Sequence, residues 1–325
     1  MTTGLSTAVE TELRDRLEDV CQHAGIPTDS ATLIKYTMNA VFRVDDYVVR
    51  LARGDHARTL AQRTTVLATE LARRDIPTIR LAADLAPTPV HAGDWVATIW
   101  HYVPIAHEDP WPVDLAVPLR ALHAVDRFDT ALPTWDTITK IRRRIANAAS
   151  LQPTAAAELD QWSDAELGVP AGRLLEVLRD WCDDIHRQLP AIRWHLPAGL
   201  VHGDAHTGNL LLRRVPHRPA ADPSALLCDL DGLSEGPREW DLVPTAHGTT
   251  RFGRPRAAYD AFADDYGFDI LSWSGWPLLV RLRELQLVTS VIDSFTGRPA
   301  VARELALRLR SLFADDPHVI WTRYH

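Results

Sequence analysis

Between Val201 and Leu212 the chain reads Val-His-Gly-Asp-Ala-His-Thr-Gly-Asn-Leu-Leu-Leu, a polar loop that runs straight into an apolar strand. A second apolar run, Ala225–Cys228, ends in Asp229-Leu230-Asp231-Gly232. Short apolar runs bounded by turn residues read as buried strands. Pro216–Pro223 carries three prolines among polar residues, which makes it the loop between them. Two antiparallel strands joined there bring Asp204, Asn209 and Asp229 to one end of a hairpin.

Phosphoryl transfer asks for that set. One carboxylate orients an acceptor hydroxyl and takes its proton, while an amide oxygen and a second carboxylate hold Mg2+ against nucleotide phosphates. An isolated Asp and Asn five positions apart is usually only a turn; the surrounding loop and strand reverse that reading for Asp204 and Asn209.

The rest of the chain falls into two parts. Thr7–Ala24 has helical period, with Val9, Leu13, Leu17, Val20 and Cys21 on one face, and Gly25–Pro27 stops it. Thr32–Tyr36, Ala40–Val44 and Tyr47–Ala52 are strand-like, with Asp45-Asp46 as a tight turn. A helix over Arg58–Arg73 follows, then extended runs at Thr78–Ala82 and Trp95–Val103, separated by the turn-rich Pro87–Asp94. After Pro104 the helical period dominates, over Leu115–Asp126, Ile138–Ala149, Gly172–Leu189, Pro277–Phe295 and Ala300–Phe313. The expectation is an α+β, two-lobed architecture. Residues 1–103 form a small antiparallel β-sheet lobe with a helix, ending in a hinge at His101–Pro104. Residues 104–325 form a larger, mainly helical lobe that carries the catalytic loop and the acceptor site.

The run H-G-D-x-H-x-G-N-L-L, its strand and the D-L-D beyond it resemble the aminoglycoside phosphotransferases and their relatives, among them macrolide, choline and homoserine kinases, which share a protein-kinase-like fold. Asn39–Val44 resembles that family's nucleotide-covering hairpin, Leu119–His123 its helix before the large-lobe insertion, and Gly236–Leu242 its segment after the metal aspartate. The last part of the chain matches only in being helical. The resemblance implies that Asp204 is the catalytic base and that His202 buttresses its loop. It implies that Asn209 and Asp229 bind Mg2+, that Asp241 braces the loop by accepting backbone hydrogen bonds, and that His206 is structural. Asn39, Phe42 and Arg50 would contact ATP or GTP, and the hinge at Trp100, His101, Tyr102 and Val103 would hold the purine. Asp231 reads as a supporting carboxylate, His123 as a core histidine, and Trp273 and Trp276 as packing aromatics.

Two departures from the family pattern stand out. Kinases of this type carry a lysine on the third strand, paired with a glutamate on the next helix. Here Arg50 occupies that strand position, and the helix window reads Gln62-Arg63-Thr64-Thr65, with Glu70 two turns too late. Only Lys35 and Lys140 are lysines in the whole chain. The hairpin Tyr36–Ala40 also has no glycine with which to cradle phosphate.

Rival readings remain open at this point. His202, Asp204 and His206 could ligate zinc in a metal-dependent hydrolase, and the departures at Arg50 suit a catalytically silent nucleotide-binding homologue. A P-loop NTPase is excluded because G-x-x-x-x-G-K-[ST] is absent. The net charge of −8 argues against nucleic acid as the main partner and suits a cationic or sugar-like acceptor, an aminoglycoside or other antibiotic first. The most acidic stretches, Asp180–Asp184 and Asp260–Asp269, both read first as solvated faces, and the acceptor is expected beside Asp260–Asp269. No stretch approaches the ~20 apolar residues of a membrane span, and Met1–Glu10 lacks the features of a signal peptide. The three dispersed cysteines fit neither a disulfide framework nor a zinc knuckle, so a cytoplasmic setting is expected.

Overall fold

A computed structural model describes residues 6–37, 39–85, 88–126, 128, 130–213 and 224–324. These fall into two compact units, one of residues 1–133 and 207–234, the other of 134–206 and 235–325.

The first unit is built on a five-stranded antiparallel sheet of β1 (Thr32–Tyr36), β2 (Ala40–Val44), β3 (Tyr47–Arg53), β4 (Val90–Ala92) and β5 (Trp95–His101). Its order is β1-β2-β3-β5-β4. Strand alternation divides its side chains between two faces. Phe42, Val44, Val49, Leu51, Ala97 and Ile99 share one buried cluster with Leu13, Leu17, Val20 and Cys21 of α1 (Thr7–Ala24). Burying each large aliphatic or aromatic side chain contributes roughly 1.5–3 kcal/mol, which fixes the register of the sheet. Arg50 points to the other face, and there α2 (Asp55–Arg73) presents Thr64. The α2 helix begins at Asp55, about one turn before the expected Arg58, with Gly54 at its N-cap position.

The hairpin predicted after the loop is present. Strands β7 (Leu210–Arg213) and β8 (Ser224–Leu227) pair antiparallel, with Leu210 opposite Leu227. The loop expected at Pro216–Pro223 lies outside the described residues. Thr78 bridges Leu227 of this hairpin while Leu81 bridges Trp100 of β5, so the extended run at Thr78–Ala82 pairs with both the hairpin and the five-stranded sheet. Strand β4 lies within the stretch expected to be turns. It is only three residues long, with Val90 and Ala92 facing inward, too short to show a period. The α3 helix (Ala116–His123) buries His123 as expected.

The second unit is helical: α4 (Thr137–Ala149), α5 (Pro153–Leu167), α6 (Ala171–Gln188), α7 (Val243–Arg251), α8 (Arg256–Tyr266), α9 (Trp276–Thr289) and α10 (Pro299–Phe313), with the short strands β6 (Gly199–Val201) and β9 (Ser234–Gly236) at its edge. Helices α5, α7 and α8 were not legible in the sequence. The first buries only Leu159 and Ser163 fully, so its apolar stripe is thin; the other two are short. Helix α9 stops at Thr289, earlier than expected. The segment after α10 is tied down by buried Trp321, whose Nε1 donates to Ser311 Oγ (3.1 Å), and by Arg308, which pairs with Glu304 and donates to Thr322 O.

Candidate active site

In the first unit the candidate nucleotide and metal residues sit around the β3 strand and the β7–β8 hairpin. Asn209 immediately precedes β7, and its carbonyl accepts from Cys228 N–H at 3.0 Å just past β8. Asn209 and Asp229 therefore stand at the same end of the hairpin, as the sequence implied. Asp229 is exposed and adopts φ 59° and ψ 59°, a left-handed conformation that costs a typical L-residue roughly 1–2 kcal/mol and that aspartate tolerates better than most. It starts the 3-10 turn Leu230–Gly232, which carries Asp231 back toward the sheet.

Asp231 resolves the anomaly at Arg50. Arg50 Nη1 donates to Asp231 Oδ1 at 2.8 Å, and Nη2 donates to Oδ2, a two-pronged pair. Thr64 Oγ1 donates to the same Oδ1 at 3.0 Å, and Arg63 Nη2 donates to the Asp231 carbonyl at 2.9 Å. Glu70 instead pairs with Arg73 one turn along its own helix. Burial pushes the Asp231 carboxyl upward, but Arg50 and Thr64 overcome it and hold the group below the ordinary range. Thr64 and Arg63 were not singled out from sequence; they occupy the helix window where a glutamate was expected.

One nucleotide-contact assignment is corrected. Phe42 is 2% exposed and belongs to the apolar cluster under α1, because its position in β2 points it to that face. Asn39 is half-buried at the start of the same strand, next to Met38, which lies outside the described residues. Along the hinge, Trp100 is buried with Nε1 on Thr98 Oγ1 (2.9 Å), and exposed His101 has Nε2 3.5 Å from Asp84. The Tyr102 N–H donates to Asp46 O (2.7 Å), and Val103 follows outside any strand or helix.

In the second unit the loop expected to be catalytic is held at His202 and Gly203 by buried Asp241. Its Oδ2 accepts from His202 N–H at 2.5 Å and its Oδ1 from Gly203 N–H at 2.8 Å. Gly203 has φ +84°, a conformation that a side chain would strain. Trp240 Nε1 closes the turn on Gly203 O at 3.1 Å, and Glu239 accepts from the N–H groups of His195 and Leu196, both at 2.7 Å. His202 is fully buried. Asp204 presents a half-exposed carboxylate, with Arg283 Nη1 2.9 Å from Oδ1 and His206 Nε2 3.5 Å from Oδ2. Burial alone would raise its pKa, yet Arg283 and the hydrogen bond with His206 outweigh it and hold the carboxyl far below the usual range. Arg283 was not visible as a site residue, since nothing in the helical pattern of α9 marks it.

The acidic stretch at Asp260–Asp269 is partly committed to local structure. Asp260 pairs with Arg256 at 2.7 Å, and Asp269 accepts from Tyr259 OH at 2.5 Å and from Leu271 N–H at 3.0 Å. Trp273 packs against Trp194 and Phe268. Among the described residues no three His, Cys, Asp or Glu side chains gather to hold a metal ion, so the zinc-hydrolase arrangement of His202, Asp204 and His206 has no ligand cluster behind it.

The sequence profile of the phosphotransferase enzyme family matches residues 36–278. The chain belongs to that family. As a phosphotransferase it acts on a hydroxyl group of a small molecule. None of the curated proteins compared with it matches its sequence. Solved structures of low identity share its protein-kinase-like fold. A microcompartment-associated aminopropanol kinase is 20% identical, with 92% of this chain and 97% of that chain covered and a TM-score of 0.63. A spectinomycin phosphotransferase, solved with ADP and spectinomycin, is 15% identical over 94% and 95% of the two chains, TM-score 0.60. A choline/ethanolamine kinase family protein from Mesorhizobium loti is 16% identical over 94% of each, TM-score 0.58.

Proposed function

We propose that this phosphotransferase moves the γ-phosphate of ATP or GTP to a hydroxyl of a small acceptor, with Asp204 orienting the hydroxyl and Asn209 and Asp229 holding Mg2+. The observation that carries the reading is the alignment of Asn209 and Asp229 at one end of the β7–β8 hairpin, with Asn209 five residues after Asp204 in the chain. Both are hard oxygen donors, and Mg2+ is commonly held by one or two such groups with waters and phosphate oxygens completing its shell. When bound, the ion neutralises charge on the transferring phosphate. Asp241 keeps the loop that carries Asp204 in place through two backbone hydrogen bonds.

Arg50, oriented by Asp231, supplies positive charge where the family pattern has a lysine. Residues 1–103 serve as the nucleotide lobe in this reading, and 104–325 as the lobe of the catalytic loop and acceptor. The hinge from Trp100 to Val103 receives the purine; with the Tyr102 N–H committed to Asp46, Val103 is the better donor. An aminoglycoside or another cationic or sugar-like antibiotic is the leading acceptor class, supported by the net charge of −8 and by the spectinomycin bound to one structural neighbour. Three free cysteines, two of them buried, fit a cytoplasmic setting, and among the described residues no helix is long and apolar enough to cross a membrane.

A thermal-shift screen that crosses ATP and GTP, each with Mg2+, against aminoglycosides, amino alcohols and sugars tests this, because ligands of the native state raise its apparent stability. A nucleotide shift that depends on Mg2+ and deepens with one acceptor class is expected. No nucleotide response at all would contradict it.

A further inference from the structure

Asp204 is the group on which the proposed reaction turns, and a half-exposed aspartate has a broad terminal torsion, so its two oxygens are not distinguished by its own rotamer. Arg283 distinguishes them. Its side chain is 9% exposed against 47% for Asp204, so the guanidinium is the fixed partner of the pair. Arg283 Nη1 donates both to Asp204 Oδ1 (2.9 Å) and to Gln286 Oε1 (2.8 Å), three residues along α9. Gln286 is itself tied to α4, since its carbonyl accepts from Arg144 Nη1 at 3.0 Å. The charged groups around this chain are Arg143 and Arg144 of α4, Arg283 of α9, Asp293 beyond α9, and His206 and Asp204 of the loop.

Resting on the function proposed above, we infer that Arg283 is a positioning residue for phosphoryl transfer: it anchors Asp204 Oδ1, with His206 Nε2 3.5 Å from Oδ2, and so sets the plane in which the carboxylate meets the acceptor hydroxyl. In the step this serves, the acceptor oxygen forms its bond to the γ-phosphorus as the bond to the β-phosphate oxygen breaks. The nucleoside diphosphate leaves with that electron pair, and the hydroxyl proton passes to the Asp204 carboxylate. A carboxylate paired with a guanidinium is a weak base, so its work is to aim the hydroxyl through most of the step and to take the proton late.

The test uses the full-length protein with MgATP and water as phosphoryl acceptor, following phosphate release against pH for wild type, Arg283→Met, Arg283→Lys and Asp204→Ala. A carbon-13 titration of the Asp204 carboxyl, assigned by its loss in Asp204→Asn, gives the same information without turnover. For Arg283→Met, release should fall about 10–100-fold, within the range for a mispositioned base, with MgATP affinity held. Its acid limb and its Asp204 titration should both move up toward the ordinary carboxylate value of about 3.9. Arg283→Lys should recover part of both. A purely structural Arg283 would lower the yield of folded protein without moving either titration. If Arg283→Met does not fold, Gln286→Leu, which removes the second anchor, should show a smaller shift of the same sign. An unmoved carboxyl titration in a folded variant overturns the inference. Unchanged phosphate release in Asp204→Ala would instead overturn the function on which it rests.

Discussion

Arg50 and Asp231 meet fork to fork, both guanidinium nitrogens on both carboxylate oxygens, two residues beyond Asp229. A strand arginine has thereby taken its counter-ion from the turn after Asp229 instead of from the helix, and Thr64 adds a hydrogen bond to the same carboxylate. The pair is about one-fifth exposed on each side, so much of its attraction escapes solvent screening.

Arg50→Lys should therefore be a loss and not a repair. A lysine ammonium cannot reproduce the two-pronged contact, and leaving part of the Asp231 carboxylate unpaired costs about 1–3 kcal/mol. Denaturant melts should show reduced stability, and calorimetric titration should show weaker MgATP binding. Increased nucleotide affinity in Arg50→Lys would mark Arg50 as a degraded lysine and refute this account of the pair.

Asp241→Ala should loosen the loop that carries Asp204. It removes two charge-assisted hydrogen bonds to backbone N–H groups in a fully buried position, a loss of about 3 kcal/mol or more. Hydrogen exchange at the His202 and Gly203 amides should accelerate well before the rest of the helical unit does. Unchanged protection at those two amides would show that Asp241 does not hold the loop.

Four of the five strands of the sheet and most helices were legible because their periods are long enough to read, β4 being the exception, and β1, β2 and α1 have the expected bounds. The polar logic was only half legible. Asp229 and Asn209 could be aligned from two apolar runs flanking a loop, whereas the partner of Arg50 lies far along the chain and follows no period. Phe42 was misassigned because a strand residue's face depends on what packs there, here α1. Arg283 carried no signal, since an arginine on a charged helix face looks like any other.

Acid should destabilise the helical unit early, through the cluster of His247, Arg251 and Glu284. Burial pushes His247 down, more strongly than Glu284 at 3.7 Å pulls it up. Burial raises Glu284, but His247 and Arg251 hold its carboxyl below the ordinary range. Both folded values are depressed, so the stability they confer is present above the unfolded values of about 6.5 and 4.3 and is lost as pH falls below each in turn. Calorimetric Tm should begin to drop below pH ~6.5, and His247→Gln should remove that first step. A Tm unchanged between pH 7 and pH 5 would contradict the neutral, buried histidine.

Asp229→Asn should separate metal binding from fold. The side chain is exposed, so melting should change little, while the Mg2+-dependent part of ATP affinity should fall by about tenfold or more. Identical MgATP affinity by calorimetry would remove Asp229 from the metal shell.

The central claim is that Asp204 serves the transfer of phosphate from nucleotide to hydroxyl. Its most direct test is phosphorus-31 NMR of ATP incubated with wild type or Asp204→Ala and the acceptor that gives the largest thermal shift. The account predicts a new phosphomonoester signal with wild type, and a rate lower by about 10²–10⁴-fold with Asp204→Ala, at unchanged MgATP affinity. A variant that forms the phosphomonoester at the wild-type rate would contradict it.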